Sequence, residues 1–248
     1  MTRAFRTPAA LRAAAGLALA ASAAALAAAP APAAGAERVR AADPVLVIGG
    51  FDARQDRLDG LAAALTARGH PAETMQLLGD PAGTAPIAES AHAVAVRAAG
   101  LLARTGAARV DVVGHSMGGL AQRHYLKFLG GASRVGTAVS VGTPEQGEVL
   151  GLLCAVASPG CRDLLPDSAF LKRLNAAPAV PPGPRAYHLY SEQGLGEKAA
   201  LPGAVNAAVQ EFCPGRRVGH AGEPVDAAMQ DLVVAALEGR PLAAGCAG

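Results

Sequence analysis

The sequence predicts an α/β fold, a mostly parallel sheet with helices on both faces. Three observations carry that prediction. Short apolar strands alternate with amphipathic helices along the chain, the pattern of successive β-α-β units. The β-branched run Val110–Val113 leads directly into Gly114-His115-Ser116-Met117-Gly118, and Leu120 to Leu129 follows at helical spacing. A second buried strand, Pro44 to Phe51, ends on the glycine pair Gly49-Gly50.

The chain begins with a segment that stands apart from this pattern. Arg3, Arg6 and Arg12 precede an Ala- and Leu-rich run from Ala13 to Ala29, and Ala31-Pro32-Ala33 and Ala34-Gly35-Ala36 offer small-residue cleavage sites. That layout predicts a cleaved export signal over residues 1–36, hence a secreted, extracellular protein. The run is short and followed by prolines, which disfavours a membrane anchor. Removing the three arginines leaves 19 of 22 basic residues against 20 acidic ones, a near-neutral chain. With no Lys/Arg-rich run and only 3% aromatic residues, nucleic acid is excluded as a partner. Residues 37–248 fit one domain with a substantial core. All four cysteines lie in this part, as suits an exported protein, and their spacing does not form a zinc site.

The remaining elements follow in order. Leu58, Leu61, Ala62 and Leu65 repeat at helical spacing up to Gly69, a C-cap. Thr74 to Leu78 is a weak strand, and Ile87 to Arg104 a long helix with Val94, Ala98, Leu101 and Leu102 on one face. Val135 to Val141 is a strand ending in Gly142-Thr143-Pro144, and Tyr187 to Tyr190 is another. Val225, Met229, Leu232, Val233 and Ala236 form the last helix, with Pro224 near its start and Gly239 past its end.

Within this frame Gly114-His115-Ser116-Met117-Gly118 is a G-x-S-x-G pentapeptide in strand–turn–helix context. The turn strains the serine backbone, and the elbow glycines Gly114 and Gly118 avoid collisions with neighbouring chain. Ser116 is therefore the candidate nucleophile. A serine hydroxyl needs a base, and the base needs an orienting acid. Of six histidines, only His188 and His220 lie beyond the serine's own helix. His188 falls inside a strand, whereas His220 sits in a glycine-flanked loop before the last helix, which makes His220 the candidate base. The acid should follow the strand Tyr187–Tyr190, which leaves Glu192 and Glu197.

These residues together resemble the small secreted bacterial lipases of the α/β-hydrolase superfamily, the lipase class 2 group and its actinobacterial forms in particular. The resemblance covers most of the mature chain: Pro44 to Phe51, V-G-H-S-M-G-G-L-A-Q-R-H-Y-L, V-S-V-G-T-P at Val139 to Pro144, Ser168 to Leu171 before Leu174-Asn175, and Cys213-Pro214-Gly215 through Val218-Gly219-His220. It implies an α/β-hydrolase fold and an exported serine ester hydrolase, a lipase or carboxylesterase acting on apolar acyl esters, with no metal or organic cofactor. Ser116 is then the nucleophile and His220 the base. The oxyanion hole is formed by the N–H groups of Met117 and Phe51. The family's acid opens an Asp-x-Val-Val-x-Pro segment; Glu197-Lys198-Ala199-Ala200-Leu201-Pro202 has that register, which favours Glu197 over the alternative Glu192. The chain departs from the family in Gly49-Gly50 for His-Gly, in Glu145-Gln146 after Gly-Thr-Pro, and in Glu for Asp at the acid.

The same resemblance, with sequence neighbourhood, implies disulfides Cys154–Cys161 and Cys213–Cys246. We expect a monomer whose partner is a small-molecule or lipid ester, with no stable membrane insertion once the signal is cleaved. Residues 145–184 form a long insertion rich in Val149, Leu150, Leu152 and Leu153, expected as a small cap lining an acyl groove beside Ser116. The alternatives are a polyester, thioester or inositol-acyl hydrolase on the same fold, or a secreted binding protein with weakened catalysis.

Overall fold

The computed structural model of the chain describes residues 42–194 and 196–246, so the export signal expected over 1–36 lies outside the described residues. Six strands form one parallel sheet: β1 (Val45–Ile48), β2 (Ala72–Met75), β3 (Val110–His115), β4 (Val135–Val141), β5 (Arg185–Tyr190) and β6 (Val205–Ala208), in the order β2-β1-β3-β4-β5-β6. The order reverses direction between β1 and β3, and their register sets Ile48 beside Gly114. The carboxyl ends of two neighbouring strands therefore diverge at one point, where open α/β sheets bind their ligands.

Side-chain alternation splits the core into two layers. Val45 and Val47 of β1 pack with Leu58, Leu61 and Leu65 of α1 (Gln55–Ala67) and Met229, Leu232 and Val233 of α7 (Ala227–Glu238). Leu46 and Ile48 face the other way, onto Ile87, Val94 and Leu101 of α2 (Ile87–Thr105) and Leu120 of α3 (Met117–Phe128). Strands buried on both faces are what a parallel sheet demands. Helix ends follow local chemistry: Gly106 and Gly239 take left-handed conformations after α2 and α7, and the Asp226 carboxylate accepts the Met229 N–H at 3.0 Å to start α7. Pro224 belongs to a separate 3₁₀ turn, His220–Val225, so α7 begins later than its apolar pattern suggests.

The sequence reading omits β6. Its four residues, Val-Asn-Ala-Ala, carry one β-branched side chain, and the strand forms only on the sheet edge against β5. Asn206 supports it by folding the preceding turn, its Oδ1 accepting the Leu201 N–H at 2.7 Å and its amide donating to the Ala204 carbonyl at 2.9 Å.

Residues 145–184 contain a 3₁₀ turn (Val149–Leu153) and two short helices, α4 (Pro159–Leu164) and α5 (Ala169–Asn175), with α6 (Val209–Phe212) following β6 later in the chain. The segment is anchored on the loop before α2. Gly160 N–H donates to the Thr84 carbonyl at 3.1 Å, and the Asp163 carboxylate accepts the Ile87 N–H at 2.9 Å. Its crest points outward, leaving Leu153 87% and Val156 94% exposed. Disulfides join Cys154 to Cys161 and Cys213 to Cys246. The second, at a sequence separation of 33, closes a loop that includes His220, a constraint worth about 4 kcal/mol in the loop-entropy treatment. No helix among the described residues is long and apolar enough to cross a membrane.

Candidate active site

The site is assembled where β1 and β3 diverge. Ser116 stands between β3 and α3 with φ 55° and ψ −130°, a strained conformation for a residue with a side chain. A Cβ at Gly114 would run into Gly118 and Gly119, and one at Gly118 into the carbonyls of Ile48 and Gly49. Both positions thus need glycine, and the strain holds the Ser116 hydroxyl clear of the sheet.

His220 opens the 3₁₀ turn before α7, and its Nε2 lies 2.9 Å from Ser116 Oγ. On its other side Nδ1 donates to the carboxylate of Glu197, which is fully buried. Glu192, the alternative acid, is exposed, and its backbone N–H donates to Gln210 at 3.0 Å. Two contacts steady the loop that carries His220. Arg216 binds both Asp226 oxygens at 2.8 and 3.0 Å, and Ser191 Oγ donates to the Val218 carbonyl at 2.7 Å.

Glu197 is held from behind by a buried network. His188 Nε2 lies 2.7 Å from the Glu197 carbonyl oxygen, and His188 Nδ1 is 3.6 Å from a Glu145 carboxylate oxygen. Glu145 is fully buried and pairs with Arg123, whose Nη2 also donates to Asn175 at 2.9 Å and Ala179 at 3.3 Å. The Glu145 that departs from the family pattern is thereby tied to the acid's loop.

One further residue escaped the sequence reading. Glu223, three positions after His220, is fully buried with Oε2 3.4 Å from His220 Nδ1. The chain order serine, acid, histidine points to carboxylates between Ser116 and His220, and Glu223 lies beyond the histidine. Its signal was the i, i+3 spacing, which one 3₁₀ turn converts into a side-by-side pair.

The electrostatics follow from burial and from two carboxylates meeting one imidazole. Burial pushes Glu197 up to about 7, with the Glu223 charge adding to the shift against the His220 hydrogen bond. Burial also disfavours charge on Glu223, but the neighbouring His115 and His220 imidazoles outweigh it and hold Glu223 down at about 2. For His220, burial is again opposed, here by Glu197 and Glu223, and the imidazole is pushed up to about 10. Nitrogens of His115 and His220 and a Glu223 oxygen lie within 4.8 Å of one another, close enough to hold a metal. His220 is already engaged by Ser116 and Glu197, so the arrangement is complete as a hydrogen-bonded chain without one.

Ser116 and His220 open onto a cavity of about 110 Å³ walled by Phe51, Ala53, Leu58 and Pro224 among others. Among the described residues, its walls come from the β1–α1 loop, α1 and the His220 turn, and not from residues 145–184, which were expected to line it.

The family profile described as Lipase (class 2) matches residues 43–200, well over half of the chain. The chain belongs to the class 2 lipase family. Solved lipases share its fold. Aspergillus fumigatus lipase B superposes with a TM-score of 0.65 at 18% identity, covering 86% of this chain and 56% of that one. Bacillus licheniformis lipase BlEst2 in its propeptide form gives 0.65 at 14% identity, covering 84% and 53%. Its mature form gives 0.57 at 15% identity, covering 74% and 86%. The chain thus spans only somewhat over half the length of the first two. Comparison with curated protein sequences returns no match.

Proposed function

We propose that the chain is an exported serine ester hydrolase that cleaves apolar acyl esters. The observation that carries this is the 2.9 Å contact between Ser116 Oγ and His220 Nε2, on an imidazole whose Nδ1 meets a buried glutamate. In this reading His220 takes the Ser116 proton as Oγ attacks the ester carbonyl. Glu197 keeps the imidazole in the tautomer that presents a lone pair to the serine, and stabilises the imidazolium that forms. The N–H groups of Met117, at the start of α3, and of Phe51 receive the oxyanion. His220 then protonates the leaving alcohol, and a water molecule activated the same way releases the acid. Because His220 must be neutral to act, its raised pKa places the acid limb of kcat/KM above the ordinary histidine range near pH 6.5.

Export is supported by the N-terminal sequence layout and the two disulfides. The cavity, at about 110 Å³, is smaller than the roughly 150 Å³ that admits a benzene, so short to medium acyl chains fill it and longer ones run out over the surface. A series of aryl esters of increasing acyl length is expected to give a kcat/KM maximum at short to medium chains, with no jump in rate above the substrate's solubility limit. A long-chain optimum with strong interfacial activation would overturn this substrate assignment.

A further inference from the structure

Glu223 has no place in a three-residue mechanism, yet the fold is built around it. Its Oε1 accepts the Ser191 N–H at 3.0 Å, and its Oε2 lies 3.4 Å from His220 Nδ1 and 3.7 Å from His115 Nε2. Among the described residues, Oε2 has no closer hydrogen-bond partner. His115 stacks on His220 with ring centroids 4.8 Å apart, and its Nε2 lies 3.1 Å from the His220 carbonyl oxygen. Gly142 of the Gly-Thr-Pro turn has φ 56°, and a Cβ there would collide with Glu223 Oε2. The backbone therefore leaves room for a carboxylate that burial alone would expel.

We propose that Glu223, supported by His115, is a second positioning carboxylate for His220, sharing its Nδ1 face with Glu197 and taking over part of the acid's role when Glu197 is lost. The inference rests on the reading of Ser116, His220 and Glu197 as a catalytic unit. Two adjacent buried carboxylates do not both ionise freely. Both approach the same ring nitrogen, Glu197 through a direct hydrogen bond and Glu223 Oε2 at 3.4 Å, so either can hold a charge beside it. The groups around His220 are Ser116 and His115 from the end of β3, Glu197 from the loop after β5, and Asp52, Arg54 and Arg57 on the cavity wall from the β1–α1 loop and α1. Arg57 donates to the Ala221 carbonyl next to the base. Of the acidic groups among the described residues, only Glu197 and Glu223 contact the ring nitrogen.

The test is a double-mutant cycle in the full-length mature enzyme, read by kcat and by the pH profile of kcat/KM. Glu223→Gln keeps an acceptor for the Ser191 N–H but removes the charge. It is expected to lower kcat about tenfold and to move the acid limb of kcat/KM to lower pH, because the imidazolium loses a neighbouring anion. Glu223→Asp, which keeps the charge, should leave the limb near its original position. Glu197→Gln is expected to cost about 10²-fold, well short of the roughly 10⁴-fold known for a lone triad acid, whereas Glu197→Gln/Glu223→Gln should reach that full loss. A Glu223→Gln enzyme with lowered thermal stability and an unmoved limb would mark Glu223 as structural and overturn the proposal. So would Glu197→Gln alone matching the double variant, and this measurement stands even if Glu223→Gln fails to fold. Wild-type enzyme that a fluorophosphonate does not label at Ser116 would instead defeat the underlying serine hydrolase reading.

Discussion

Ser116→Ala is expected to lower turnover of a short-chain aryl ester by about 10⁶-fold, and His220→Ala by nearly as much. The two losses converge because nucleophile and base act as one unit: without Oγ the imidazole has no proton to take, and without the imidazole the hydroxyl stays protonated at neutral pH. The geometry confines the damage to chemistry. Ser116 makes no side-chain cap to α3, and its Oγ contact is with His220 alone in the catalytic chain, so alanine removes the reacting atom while α3 and the sheet keep their packing. Purified Ser116→Ala protein should therefore show wild-type thermal stability with hydrolysis near background. Hydrolysis that persists in a clean preparation would remove Ser116 from the mechanism.

The largest effect on stability is expected from Arg123→Ala. Arg123 and Glu145 are 3% and 0% exposed, and among the described residues no other guanidinium or ammonium pairs with that carboxylate. Truncating one partner of a buried ion pair leaves the other charge without compensation, which costs about 3–5 kcal/mol. At roughly 2–4 °C per kcal/mol for a domain of this size, the melting temperature should fall by about 6–20 °C. Exchanging both partners for apolar residues, as in Arg123→Met/Glu145→Leu, is expected to recover most of the loss, since no charge then remains buried. The link through His188 to the Glu197 carbonyl predicts that Arg123→Ala also lowers kcat, by loosening the acid's loop. A melting temperature within a degree or two of wild type would show that the pair is hydrated or dispensable.

The elbow and the parallel sheet were legible because they depend on local pattern. A β-branched run, two glycines at fixed spacing and an apolar helix leave one backbone solution, and Ser116 adopts it. His220 was legible from its place in a glycine-flanked loop before the last helix, a matter of chain order. Glu197 needed the family register to separate it from Glu192, because five residues of loop decide which carboxylate turns inward, and no periodicity governs a loop. Glu223 was missed for a different reason: its partner is reached through one 3₁₀ turn and a vacancy at Gly142, which lies on another strand's end. β6 was missed because an edge strand of four small residues draws its identity from its neighbour. The apolar residues of 145–184 suggested a groove lining, but hydrophobicity alone does not say which side of a short disulfide loop faces the protein.

The most direct measurement is the site of covalent modification by a fluorophosphonate, mapped by peptide mass spectrometry. A single adduct is expected on the peptide carrying Ser116, formed in step with loss of esterase activity and greatly slowed in His220→Ala. An adduct on another serine, or none while hydrolysis proceeds at full rate, would contradict it.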